Sequence, residues 1–129
     1  GGVGGGKTHA AYALARDAAA RGIGTAAWRV PSLMLDLAPG GAPGVLARIL
    51  TVPLAVFDDL GREKPSEWRV EQVTDIIDAR IGDGLRQVIT TNATYPQLAA
   101  RYGERAISRI SGGATVVKIT GPDRRRVTW

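Results

Sequence analysis

The 129-residue sequence contains no cysteine, which excludes disulfides and thiolate metal sites. It has no apolar run approaching the roughly 18 residues of a membrane span, and no signal peptide is visible at its start. Acidic residues are in the minority: 12 Asp and Glu stand against 17 Lys and Arg, for a formal charge of +5. That balance suits an anionic partner such as nucleic acid, with a solvated basic surface as the plain alternative. Residues 31–50 hold no aromatic side chain, so base stacking is not expected from that stretch. No internal repeat and no second composition regime interrupts the chain, and 44% hydrophobic content suffices for one domain with one core.

What is present begins at residue one. Gly1-Gly2-Val3-Gly4-Gly5-Gly6-Lys7-Thr8 is a complete G-x-x-x-x-G-K-[ST] phosphate-binding loop. Its glycines let the backbone take φ > 0 and turn successive N–H groups toward anionic oxygens. A helix expected from Lys7 adds its positive N-terminal end. Lys7 is placed to reach the β- and γ-phosphates, and the Thr8 hydroxyl to join a Mg²⁺ shell. A glycine-rich terminus that fits the pattern by chance is the alternative. Against it, residues 9–21 are helix formers stopped by Gly22, the loop-then-helix context such a motif requires. Because this loop normally follows a buried strand and none precedes Gly1, the sequence is expected to be part of a longer nucleotide-binding protein.

Downstream, short apolar segments alternate with helical patterns. Residues 25–30 read as a strand closed by Pro31, 31–37 as a helix start, 39–44 as a Pro/Gly loop and 45–50 as a short helix. Residues 53–59 form an apolar strand ending in two acids. A long helix starts at Ser66 or Glu67, carries Trp68, Val70, Val73, Ile76, Ile77 and Ile81 at helical spacing, and ends at Gly82-Asp83-Gly84. Residues 86–92 are a further strand, helices follow around 97–101 and 104–110, and 114–120 form a last strand. This alternation predicts an α/β fold with a parallel sheet.

Phe57-Asp58-Asp59 has the form of a Walker B element, with carboxylates delivered by a buried strand opposite the phosphate loop. Asp58 is expected to hold Mg²⁺ through water, and Asp59 to polarise the attacking water. Asn92, at the end of the next strand, is placed to orient that water or sense the γ-phosphate, unless it is a turn-forming Asn. His9 belongs to the loop region, although its direction on the helix favours packing. Trp28 and Trp129 read as packing residues.

Gly4-Gly5-Gly6-Lys7-Thr8-His9, Asp58-Asp59-Leu60-Gly61, Glu63-Lys64-Pro65-Ser66-Glu67-Trp68, Thr90-Thr91-Asn92 and Gly103-Glu104-Arg105-Ala106-Ile107-Ser108-Arg109-Ile110 together resemble the DnaC/DnaI helicase loaders. They are also similar to the related IstB transposition ATPases of the AAA+ class. The resemblance covers nearly the whole chain. It implies a P-loop NTPase of AAA+ type, a three-layer sandwich with parallel strand order 5-1-4-3-2. It further implies that the central first strand lies outside this sequence and that, as in the loader family, no helical lid is expected. Residues 114–120 and 86–91 are then expected to lack the strand between them, leaving unpaired backbone groups and an unstable fold.

The resemblance further implies Asn92 as sensor 1 and Arg109 as an arginine finger acting on a neighbouring subunit, with Arg105 a second candidate. A solvated face is the alternative for both arginines. Arg125 is the best match to sensor 2, its register open among Arg124, Arg125 and Arg126. Asp59 stands where many AAA+ proteins carry Glu, which suggests a slow, switch-like ATPase. Lys64, Ser66, Trp68 and Arg69 are candidates for single-stranded DNA, with core packing or interface anchoring the alternative for Trp68. The implied partners are ATP, single-stranded DNA, a replicative helicase bound through the missing N-terminal region, and further copies in a ring or spiral. The implied setting is the cytoplasm, for a bacterial or phage-encoded protein. A transposition regulator and a nucleotide-dependent scaffold with negligible hydrolysis are the competing readings.

Overall fold

The computed structural model describes residues 2–62, 64 and 66–118, with side chains described for 11–62, 64 and 66–117. Elements run in the order α1 (Gly2–Ala20), β1 (Thr25–Arg29), α2 (Val30–Leu37), α3 (Val45–Thr51), β2 (Leu54–Asp58), α4 (Glu67–Gly82), β3 (Arg86–Thr91), α5 (Tyr95–Tyr102), α6 (Glu104–Gly113) and β4 (Thr115–Lys118). The four strands form one parallel sheet in the order β1-β2-β3-β4.

Every residue of β2 is buried, as a strand covered on both faces must be. Its side chains alternate between two cores. Leu54 and Val56 join Val88, Val117 and the small residues Ala11 and Ala15 of α1. Ala55 and Phe57 face the larger core with Ile89, Met34, Ile49, Val73, Ile77, Leu98 and Ile107. Helix α1 therefore covers one face and α2 to α6 the other, which is the three-layer arrangement of a P-loop NTPase.

Two expectations are corrected. The slot between the last two strands is closed: β3 pairs directly with β4, in the register Val88↔Thr115 to Thr91↔Lys118. Buried backbone groups must find partners, and these two strands supply them to each other. The relative order of the four strands is the expected one, but the ground for expecting unpaired groups along 86–91 is gone. Helix α1 also starts at Gly2 rather than Lys7, because an i→i−4 ladder pairs backbone groups that a loop would leave open.

The long helix α4 brings one surprise. Its apolar face includes Arg80, which is 0% exposed. Its Nε donates to Gln87 Oε1 at 2.9 Å, and its Nη1 to the carbonyls of Ile49 (2.8 Å) and Val52 (2.7 Å). Its Nη2 donates to the carbonyls of Arg86 (2.7 Å) and Pro53 (3.4 Å). Gln87 Nε2 in turn donates to the carbonyls of Leu85 (3.0 Å) and Gly113 (2.7 Å). One guanidinium thus ties the end of α3 and the starts of β2 and β3 to α4, and Gln87 adds the end of α6. Burial lowers the Arg80 pKa from its ordinary value by desolvation.

Candidate active site at the carboxyl edge of the sheet

The carboxyl ends of parallel strands are where such folds collect their chemistry. Here β1 ends in Arg29, β2 in Asp58 and β3 in Thr91, followed by Asn92. Arg29 and Asp58 are register partners on adjacent strands. Asp58 is 4% exposed, and its Oδ1 accepts a hydrogen bond from the Thr90 hydroxyl. The Asp59 backbone N–H donates to the same hydroxyl oxygen at 2.9 Å.

Asp59 has φ +65°, a left-handed conformation found at no other non-glycine among the described residues. That turn sends its carboxylate toward β1, where Arg29 Nη2 lies 3.1 Å from Asp59 Oδ2. The Asp59 side chain is 15% exposed and that of Arg29 56%, so the pair sits at the mouth of the site.

Leu60 turns back into the core, its N–H donating to the Thr90 carbonyl at 2.9 Å. The Thr91 hydroxyl donates to the Leu60 carbonyl at 2.7 Å and accepts from the Ala93 N–H at 3.0 Å. Gly61 follows with φ +92°, and a Cβ there would stand 3.1 Å from Leu98 Cδ2. The Asp-Asp-Leu-Gly sequence is thus a turn that leaves one acid partly buried at the mouth, buries the other and anchors itself with a leucine.

Asn92 is exposed at the bend after β3, and its side chain makes no hydrogen bond among the described residues. The structure brings Asp58, Asp59 and Asn92 to one edge, as expected. Arg105 and Arg109 lie elsewhere, along a groove of about 560 Å³ between α4 and α5–α6. There Arg109 Nε donates to Asp78 Oδ1, with both side chains about half exposed. At the start of α4, Ser66 is the N-cap, its hydroxyl accepting from the Arg69 N–H at 3.1 Å. Trp68 beside it is 38% exposed and not part of the core, and Lys64 is exposed. Gly1, Arg124, Arg125, Arg126 and Trp129 lie outside the described residues, as do the side chains of Gly2, Val3, Gly4, Gly5, Gly6, Lys7, Thr8 and His9.

Residues 1–127 match the family model described as IstB-like ATP binding protein. The chain belongs to this family. Among solved structures, the DnaC helicase loader matches with 32% identity and a TM-score of 0.76, over 92% of this chain and 73% of that one. DnaI matches with 27% identity and a TM-score of 0.68, over 81% of this chain and 62% of that one. No curated protein sequence matches the chain.

For this IstB-like ATP-binding protein, sequence reasoning missed three partners. Arg29 was signalled by a cation closing a strand beside the acid strand. Thr90 is a hydroxyl within an otherwise apolar buried run, and Asp78 is an acid on the solvent side of α4. The first two acquire meaning only from strand register. Among the described residues, no group of three or more His, Asp or Glu side chains could hold a metal. The donor set here is oxygen from Asp58, the hard-ligand chemistry that suits Mg²⁺ completed by water and phosphate.

Proposed function

We propose that this protein binds Mg·ATP and hydrolyses it slowly as the ATPase core of a DnaC-like helicase loader acting on single-stranded DNA. The observation that carries the reading is the buried Asp58 at the end of β2, tied to the strand that leads to Asn92. Its context is a chain 32% identical to the DnaC helicase loader.

Lys7 and the unpaired backbone N–H groups at the start of α1, within the Gly1–Thr8 motif, would meet the phosphates, and Thr8 and Asp58 would hold Mg²⁺. When bound, that ion supplies charge neutralisation at the β- and γ-phosphates. Asp59 accepts a proton from the water that attacks the γ-phosphorus, the bond to the β–γ bridging oxygen breaks, and ADP departs. Asn92 orients that water by hydrogen bonding. Arg29 holds the Asp59 carboxylate by one guanidinium nitrogen, and this restrains a base already shorter than glutamate. Arg109, with Arg105 nearby and Arg125 as sensor 2, would act across a subunit boundary in a ring or spiral. Exposed Lys64 and Trp68, with half-buried Arg69, form the cation-and-aromatic group that single strands favour, while Ser66 serves chiefly as a cap.

A second reading, an ATPase regulator of transposition, is favoured by the IstB-like family match over residues 1–127. The test is steady-state ATP hydrolysis with and without single-stranded or duplex DNA, on wild type and Asp59→Ala. Turnover stimulated by single strands and abolished in Asp59→Ala supports the loader ATPase. Stimulation by duplex alone favours the transposition reading. Equal, negligible rates in both proteins would leave a nucleotide-dependent scaffold.

A further inference from the structure

We infer that Thr90 is a positioning residue: its single hydroxyl couples Asp58 and Asp59 to the strand that ends at Asn92. This rests on the ATPase reading above and adds a residue to it.

Thr90 is 0% exposed, so its hydroxyl has no water to satisfy it. A hydroxyl carries one proton and two acceptor lone pairs. An ionised Asp58 Oδ1 only accepts and the Asp59 backbone N–H only donates, so the directions are forced. Asp59 N–H donates to Thr90 Oγ1, and Thr90 O–H donates to Asp58 Oδ1. The rotor has no other arrangement that serves both neighbours, and each bond in such a relay strengthens the other.

Two consequences follow from this geometry. The Asp58 carboxylate is held at one oxygen from the neighbouring strand, which sets its direction at the sheet edge. Asp59 keeps a left-handed backbone that costs a β-carbon residue free energy and persists only where surroundings over-determine it. Thr90 supplies that determination twice, through its hydroxyl to the Asp59 N–H and through its carbonyl to the Leu60 N–H at 2.9 Å. A shift at the end of β3 is therefore transmitted to both acids at once. Thr91 differs: among the described residues its hydroxyl bonds the Leu60 carbonyl and the Ala93 N–H rather than either carboxylate.

Thr90→Val removes the hydroxyl at nearly constant shape, Thr90→Ser keeps it, and Thr91→Val is the control. We expect Thr90→Val to lower kcat roughly 10–100-fold with KM for ATP within about threefold, the size expected for a lost hydrogen bond to a charged group. A fluorescent ATP analogue, titrated with Mg²⁺ under non-hydrolysing conditions, should need several-fold more Mg²⁺ to bind Thr90→Val. Thr90→Ser should restore both quantities, and Thr91→Val should leave the Mg²⁺ requirement unchanged. Wild-type kcat and Mg²⁺ requirement in a folded Thr90→Val, or an equal defect in Thr91→Val, would overturn the inference. Should Thr90→Val not fold, backbone amide exchange of wild type decides. Slow exchange at Asp59 supports the coupling, and fast exchange there beside a protected Leu60 overturns it. A wild type without turnover would remove the ATPase reading, while the Mg²⁺ titration and amide exchange still judge Thr90.

Discussion

At the amino edge of the sheet, the Arg80 cation is enclosed by neutral backbone carbonyls and one amide, all directed at its five donors. At the carboxyl edge, two carboxylates are held by one threonine hydroxyl and one half-exposed arginine. Both edges contain a buried charge, Arg80 in one and Asp58 in the other. The first is surrounded so completely that it has no further bonding capacity to offer. The second is oriented by the Thr90 hydroxyl, beside a turn with a strained backbone residue. The saturated cation and the proposed catalytic acids thus lie at opposite ends of the same strands.

The sharpest way to break that contrast is Arg80→Ala. It should cost about 3–5 kcal/mol, because several carbonyls lose their donor and a cavity is left. Chemical denaturation of wild type and variant would measure it. ATP turnover per folded molecule should stay near wild type, and a large loss of turnover without destabilisation would erase the distinction between the two edges. Asp59→Ala is the mirror experiment. Turnover should fall by at least about 100-fold, while stability falls less than in Arg80→Ala, through loss of the exposed pair with Arg29 and the poorer fit of alanine at φ +65°.

The distinction is sharpened further by Arg29→Ala. An ion pair this exposed contributes at most about 1 kcal/mol, so the melting temperature should move by only a few degrees. Turnover should nevertheless fall several-fold, because the Asp59 carboxylate loses the contact that directs it. The smallest effect is expected at Asp78→Ala, on the outer flank between α4 and α6. Its half-exposed pair with Arg109 should be worth under about 1 kcal/mol and shrink further at high salt. Nucleotide binding by the single subunit should be unchanged in the same variant.

Much of the architecture was legible before the structure. The continuous apolar run at 53–57 ending in two acids, the helical spacing on α4 and the Gly22 stop are local signals with local causes. Boundaries drifted where side chains override propensity. Helix α5 begins at Tyr95 because Thr94 and Gln97 cap it reciprocally, Gln97 N–H to Thr94 Oγ1 at 3.2 Å and Thr94 N–H to Gln97 Oε1 at 2.8 Å. Arg80 gave no warning, since a charge on an amphipathic face reads as a break in the pattern. Only the convergence of three backbone segments makes it the filler of that face.

By itself, then, the sequence determined which strands carry acids, where the helices lie, and that the first eight residues have the form of a phosphate-binding loop. The tertiary structure decided what touches those acids. Arg29 and Asp59, Thr90 and Asp58, and Arg80 and Ile49 are each separated by about thirty residues. They meet only because parallel strands take one register and the last two pair directly. Local chemistry writes an element's type and ends, but contacts of that span arise when burial and backbone pairing select a single arrangement of the sheet.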